Sequence, residues 1–408
     1  MIVEIVNIPA SVPQKDVTSR NNKNMDYIKK AYTEALKTLD ASAKKTGFYA
    51  SGLKGGYEAT WARDSMITSL GASLVENKYK HPFAKSLELL ASNQSSNGQI
   101  PNCVGSYNTD RRSNATFNSI DSSLWFIIGH YAYARAYNTH GLLNKHKKHI
   151  AKALLWLRMQ DPNEDGLLSQ QPTMDWMDAF PHKYGNVINT QAMYFTVLKL
   201  IGDKKKAIHF RKVVNGDVDA YLKLYDKKLG YYLPWNWKNH DGDREQEEWF
   251  DSLGNCLAIL SGLAKRPQAL SILKHIEKNK INRPHPLKAI WPPIKEGDKE
   301  WKSYFSKCDA REPLSYLNGG IWPFIGGFYV ASLVKMNKLK QAKEELEILA
   351  KGNLKATEMR ELKGKYNFNE WLHGKTGSPE GEAYQAWSAG MYIYAYECVK
   401  QKRAIYFE

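Results

Sequence analysis

Cysteine is scarce in this chain. The four residues (Cys103, Cys256, Cys308 and Cys398) lie far apart in 408 residues and form no CxxC pair. That spacing argues against a zinc site and a disulfide framework, so we expect no metal and a cytoplasmic, reducing location. Long apolar runs are missing too. None approaches the roughly 20 residues needed to span a bilayer, so no membrane partner is expected. The N-terminus, MIVEIVNIPASVPQKD, carries Glu4 inside its only apolar run and reads as no secretory signal. Strand-like alternation is rare, with GYYLPW (230–235) the best short candidate. No GxGxxG, GxxxxGK[ST], HExxH or GxSxG pattern appears, so no cofactor is expected. The eleven histidines do not gather at metal spacing, and His130, on an apolar helix, reads as a core residue.

Positive charge and aromatic residues are abundant instead. Lys and Arg number 58 against 42 Asp and Glu, a formal charge of +16, and 24 Tyr and 12 Trp are present. The lysines fall on helix faces rather than in one tail. We read them as a solvated surface and expect no nucleic-acid partner. The run GDKKKAIHFRK (202–212) is the most basic stretch and lies on one such face.

Helical periodicity dominates. Helices are expected at 24–40, 64–77, 82–94, 121–138, 144–160, 188–202, 204–224, 250–264, 266–280, 322–336, 338–352 and 385–402. They alternate in character. Segments such as KLKQAKEELEILAKG (338–352) are amphipathic and face solvent on one side, while FIGGFYVASLV (324–334) is apolar nearly all round and must be buried. Long connections (41–63, 95–120, 161–187, 225–249, 281–321 and 353–384) each precede an apolar helix. Six inner and six outer helices in one domain, 1–408 with an N-terminal extension over 1–20, predict an all-α (α/α)6 barrel. Helix pairs could instead stack as an open solenoid. The absence of a shared consensus and of polar end caps favours closure. The long loops then gather at the N-terminal ends of the inner ring, where a pocket is expected.

Those loops mix indoles and phenols with carboxylates and amides. Aromatic faces stack on pyranose rings and carboxylates bind hydroxyls, so a polyhydroxylated ligand is expected. Asp64, Asp121 and Asp251 sit where inner helices begin, and a capping role competes with a functional one. Two carboxylates stand out. Asp178 lies in MDWMDAF (174–180), walled by Trp176, Met177 and Phe180 and close to Asp175. Aromatic walls and like charge both raise a carboxyl's pKa, as a general acid requires. Glu370, in NEWLHG (369–374), lies on another loop whose polarity suits a water-activating base. Such a pair satisfies glycoside hydrolysis. Asn369, His373 and Tyr384 are candidates to position the water, and Glu380 or Glu382 remain alternatives for the base. A catalytically silent barrel that binds carbohydrate or nucleic acid is the non-enzymatic alternative.

WARDSMI, NGQIPN, IDSSLW, DWMDAF, WFDSLGNCLAILSGLA, LNGGIWPF and NEWLHGKTGSPEGEAYQAWSAG resemble, in this order, segments of the six-hairpin glycosidases. That superfamily includes glucoamylases, the glucosidase domain of glycogen-debranching enzymes, neutral invertases, trehalases and mannosylglycerate hydrolase. The resemblance runs from about Gly47 to Tyr396. It implies Asp178 as acid and Glu370 as base. It implies sugar contacts from Trp61, Arg63 and Asp64, and we extend that expectation to Gln99, Asp121, Trp125, Asp175, Trp176, Asn318, Trp322, His373, Glu382, Tyr384, Gln385 and Trp387. The expected activity is inverting hydrolysis of short α-glucosides, α-1,6- or α-1,4-linked, with sucrose as the alternative. A small oligosaccharide or disaccharide is the expected partner. The sequence departs from the debranching and invertase patterns at Asn189, where a Glu is usual. It departs from the neutral invertases at Leu317, where a His stands, and at Ala179 and Phe180, where a basic pair stands.

Overall fold

Burial on every side separates one set of helices from the other. The computed structural model describes residues 17–105, 113–218, 222–238 and 244–407. Helices α2 (Ala62–Ala72), α4 (Asp121–Ala136), α7 (Ile188–Leu200), α9 (Ser252–Ser261), α11 (Pro323–Lys335) and α13 (Ala386–Gln401) are buried along nearly their whole length. Helices α1 (Val17–Ser42), α3 (Lys80–Ser92), α6 (Lys147–Arg158), α8 (Lys204–Asn215), α10 (Arg266–Lys278) and α12 (Leu339–Asn353) surround them, with a short α5 (Gly141–Lys145) ahead of α6. Those of the outer set bury a stripe. On α10 it is Ala269, Ile272, Leu273 and Ile276, the i, i+3, i+4, i+7 rhythm of an amphipathic helix.

The inner set closes on itself. Helix α2 packs on α4, α4 on α7, α7 on α9, α9 on α11, α11 on α13 and α13 back on α2. The (α/α)6 ring is therefore present, and the solenoid alternative falls. Small residues let the inner helices touch. A Cβ at Gly71 would lie 1.7 Å from the Gly390 carbonyl, and one at Gly390 would lie 2.5 Å from that of Thr68. Gly129, Gly254 and Gly327 make comparable approaches to Met66, Ile188 and Met391.

Helix ends differ from expectation where a glycine adopts the left-handed region. The helix expected over 204–224 stops at Asn215, and the one expected to 264 stops at Ser261. Gly216 (φ +71°) and Gly262 (φ +78°) terminate them as left-handed caps. Helix α1 starts ahead of residue 24, and most of the expected extension over 1–20 lies outside the described residues. The segment 230–235 supplies Tyr231–Tyr232 and the start of strand Trp235–Lys238. That strand joins Arg244–Gln246, Gly185–Val187 and Ser169–Gln170 in a four-stranded sheet over the loops. No helix of the described residues is long and apolar enough to cross a membrane. His130 is a satisfied core residue. Its ring nitrogens meet the Phe126 carbonyl (2.8 Å) and His146 (2.9 Å), and burial lowers its pKa to about 3.

Candidate active site

The long loops and the N-termini of inner helices enclose a pocket of about 670 Å³. Three neighbouring inner helices build it. The start of α2 carries Trp61, Arg63 and Asp64. Trp322 precedes α11, and Gln385 and Trp387 begin α13. Asp178 and Trp176 enter from the loop before α7, and Glu370 from the loop before α13. Nine of the sequence-nominated residues thus line one cavity: Trp61, Arg63, Asp64, Trp176, Asp178, Trp322, Glu370, Gln385 and Trp387.

Indoles wall it. Trp322 meets Trp176 and Trp387 edge-on, at ring separations of 5.4 and 5.8 Å. Trp322 spends its N–H on the Tyr316 carbonyl (3.0 Å). The indole nitrogens of Trp176 and Trp387 and the amide nitrogen of Gln385 are buried without a hydrogen-bond partner. Buried donors of this kind are costly unless something accepts from them. All three belong to residues that line the cavity.

Charge in the pocket is unbalanced. Arg63 is the one cation among the described residues lining it, against Asp64, Asp178 and Glu370. Arg63 binds Asp121 at 2.9 Å and stands 3.8 Å from Asp178 and 4.0 Å from Asp64. Burial works against its charge, but Asp121, Asp64 and Asp178 outweigh burial and hold it protonated. Asp64 is pushed up to about 6, chiefly by burial, with Arg63 opposing.

Asp178 and Glu370 sit in different surroundings. The Asp178 side chain keeps 51% of its surface accessible, and that surface opens into the pocket. Its pKa is raised by loss of solvent in the concave site, opposed by Arg63 and reinforced by Asp175 and Asp121. The exposed surface means that the rise grows when a ligand displaces the remaining water. Glu370 is 8% exposed and pushed up to about 7, by burial first and then by Asp64, Asp178 and Glu382. The Glu382 N–H donates to its carboxylate (3.2 Å) and opposes the rise. Glu370 was expected on a polar loop that could hold water; the structure places it just ahead of the hairpin of Trp371–Leu372 and Pro379–Glu380, in the lining of the pocket.

Other nominated residues stand behind the wall. Asp121 was a candidate cap, yet it makes no cap hydrogen bond and serves Arg63 and Ser119 instead. Asp251 does cap, accepting from Gly254 N–H at 2.9 Å. Asp175 accepts from the Met177 N–H (2.8 Å), bending the loop that presents Asp178. Trp125 lies in the core near Phe328. Gln99 braces the Phe117 and Ser119 carbonyls, and Asn318 ties Ile294 to the Arg311 carbonyl. His373 accepts from the turn at Lys375 and Thr376. Glu382 accepts from Ser51 (3.4 Å), and Tyr384 packs against Tyr366.

Four residues were not singled out in the sequence. Tyr57 and Tyr316 line the pocket, and Gly381 (φ +68°) leaves room for Glu370, since a Cβ there would lie 2.6 Å from its Oε2. The fourth is Lys183, 1% exposed, whose ammonium donates to Asp175 (3.1 Å), Asp251 (2.9 Å) and Asn189 (2.9 Å). Tyr57 and Tyr316 fall in the long loops whose phenols and indoles point to sugar stacking, and the glycine between Glu380 and Glu382 marks a backbone position that needs freedom.

The chain belongs to the six-hairpin glycosidases. Within them the chain belongs to the amylo-alpha-1,6-glucosidase family, whose model matches residues 35–394. Among curated proteins it is similar to probable alkaline/neutral invertase F of Arabidopsis thaliana, 31% identical over 153 residues, 36% of this chain and 28% of that protein. It is similar also to cytosolic invertase 1 of Oryza sativa subsp. japonica, 31% identical over 153 residues, 36% of this chain and 25% of the relative. The matched segment thus spans less than a third of these relatives' length. In fold it is similar to a mannosylglycerate hydrolase from Thermus thermophilus (TM-score 0.63, 14% identity, 89% of this chain and 99% of the other). A rhamnosidase from Klebsiella oxytoca gives TM-score 0.60 at 13% identity, covering 90% of this chain and 63% of the other.

Proposed function

We propose that the chain is an inverting glycoside hydrolase acting on short, neutral α-glucosides, with α-1,6- or α-1,4-linked gluco-oligosaccharides as substrates. The observation that carries this is one indole-walled cavity that receives Asp178 and Glu370 from separate loops. In this mechanism Asp178, whose pKa burial raises, donates a proton to the glycosidic oxygen as the bond to the anomeric carbon breaks. Glu370 takes a proton from a water that attacks the same carbon from the opposite face. A base is most effective when its pKa lies near the working pH, and about 7 meets that requirement. Arg63 and Asp64, with the indoles of Trp61, Trp176 and Trp387, fit the hydroxyls and the C–H faces of the terminal sugar. The carboxylate surplus disfavours phosphorylated or otherwise anionic sugars.

Hydrolysis by this donor set needs water as its only co-reactant. We take the chain as one catalytic domain. We read its location as a reducing cytoplasm, from the wide spacing of its four cysteines. A second reading, sucrose hydrolysis, is favoured by the local similarity to invertases.

The test is a panel of isomaltose, maltose and sucrose with the released anomer followed by NMR. Inversion predicts β-glucose first from an α-glucoside. Release of α-glucose first would overturn inversion, and sucrose as the only substrate would select the second reading.

A further inference from the structure

A second groove borders the loop that presents Asp178, at Met174. It encloses about 850 Å³ and has Trp237, Tyr184, Gln160, Gln170, Gln171 and Ser169 in its lining. No carboxylate, amine or guanidinium lines it among the described residues. That is unusual on a chain with a quarter of its residues charged. The groove offers aromatic faces, side-chain amides, a hydroxyl and methionine, a mixture that suits a neutral, hydroxyl-rich ligand with apolar C–H faces.

The backbone is shaped to hold the aromatic platform. Gly185 takes φ +66°, and a Cβ there would lie 2.7 Å from the Trp237 ring. Only a glycine lets this indole lie across the strand. Register sets Gln170 opposite Gly185, so indole, bare backbone and amide form one row across the sheet. Tyr184, also in the lining, packs tilted against Trp235, with ring centroids 4.2 Å apart. Met159, 70% exposed, extends the apolar edge.

We propose that this groove is a second, non-hydrolytic binding site for a neutral linear gluco-oligosaccharide. Its ligand class rests on the reading of the pocket as a glucosidase site. The groove holds no acid and base of its own, so the ligand is bound without being cleaved. The groove and the pocket share no lining residue, so each takes its own oligosaccharide molecule. Gln170 donates to Asp175 (3.0 Å), the residue that bends the Asp178 loop, so the two sites share one loop.

The test is calorimetric titration of the silenced full chain, E370Q, with maltopentaose and with isomaltopentaose. Two equivalents are expected to bind. Adding W237A, or separately Q171A on the exposed edge, is expected to remove one of them or weaken it about tenfold. Q171A alters an exposed side chain, so folding is not at stake. A single equivalent that W237A abolishes would support the groove and sink the glucosidase reading of the pocket. Binding that is absent, or indifferent to both W237A and Q171A, would overturn the groove.

Discussion

Two clusters of buried charge each draw one aspartate from the loop 174–180, Asp175 and Asp178, and they are built on opposite terms. In one, Lys183 sits among Asp175, Asp251 and Asn189, each within 3.1 Å of its ammonium. Burial opposes its charge, but the two aspartates keep it protonated. In the other, Arg63 is shared among Asp121, Asp64 and Asp178, and Glu370 has no cation of its own within the described ion pairs. The first cluster bridges three elements with short contacts to one lysine. The second leaves carboxyls with raised pKa values facing a cavity. Buried charge that is fully paired holds structure, while buried charge left unpaired toward a cavity is available for chemistry.

The largest effect should come from the unpaired cluster. D178N and E370Q should each lower turnover on an unactivated glucoside by about 10²–10⁴, the usual worth of a general acid or base, with circular dichroism unchanged. A variant that keeps near-normal turnover removes its residue from the mechanism. If E370Q stays active while E382Q does not, the base is Glu382. Next in size is the paired cluster. K183M strands Asp175 and Asp251 without their cation, and breaking a buried pair costs about 3–5 kcal/mol. Denaturant unfolding should show that loss, and a drop under about 1 kcal/mol would mean that the aspartates find other partners.

The same comparison predicts an opposite sign for stability at Glu370. Folded, this carboxyl keeps its proton up to about pH 7, against an ordinary value of 4.5. Between those values the folded chain binds more protons than the unfolded one, so stability falls as pH rises. E370Q removes that penalty. It should be more stable than the parent at pH 8, by up to about 3 kcal/mol, and the gap should shrink toward pH 5. Equal stability at both pH values would mean that Glu370 ionises normally.

How much of this was legible in the sequence follows from where each signal resides. The ring was legible because burial all round leaves its mark on every residue of a helix such as α11. The pocket carboxylates were legible because aromatic residues flank them locally, as in MDWMDAF. Lys183 was not. In PHKYGN it looks like any lysine, and its partners come from positions up to 68 residues away. Trp125 misled for the complementary reason. IDSSLW sits beside the site in sequence, but a helical turn carries the indole from the pocket side into the core. Asp121 shows that a side chain at a helix start can serve a neighbouring arginine instead of its own backbone.

The smallest expected effect is none at all, and it tests the charge of the whole surface. Lys204, Lys205, Lys206 and Lys212 are exposed on α8, an outer helix. Other lysines pair with surface acids, as Lys265 does with Asp217 and Lys351 with Glu347. Such exposed pairs contribute little to stability and weaken with salt. A polyanion is therefore drawn to the outside of the ring, while the pocket, with three carboxyls against Arg63, repels it. At about 0.15 M salt, heparin or DNA should leave turnover of a neutral oligosaccharide unchanged. Any association seen at low salt should fade steeply as salt is added. Competitive inhibition by a short polyanion would put positive charge at the mouth of the pocket, and the neutral-substrate reading would then be wrong.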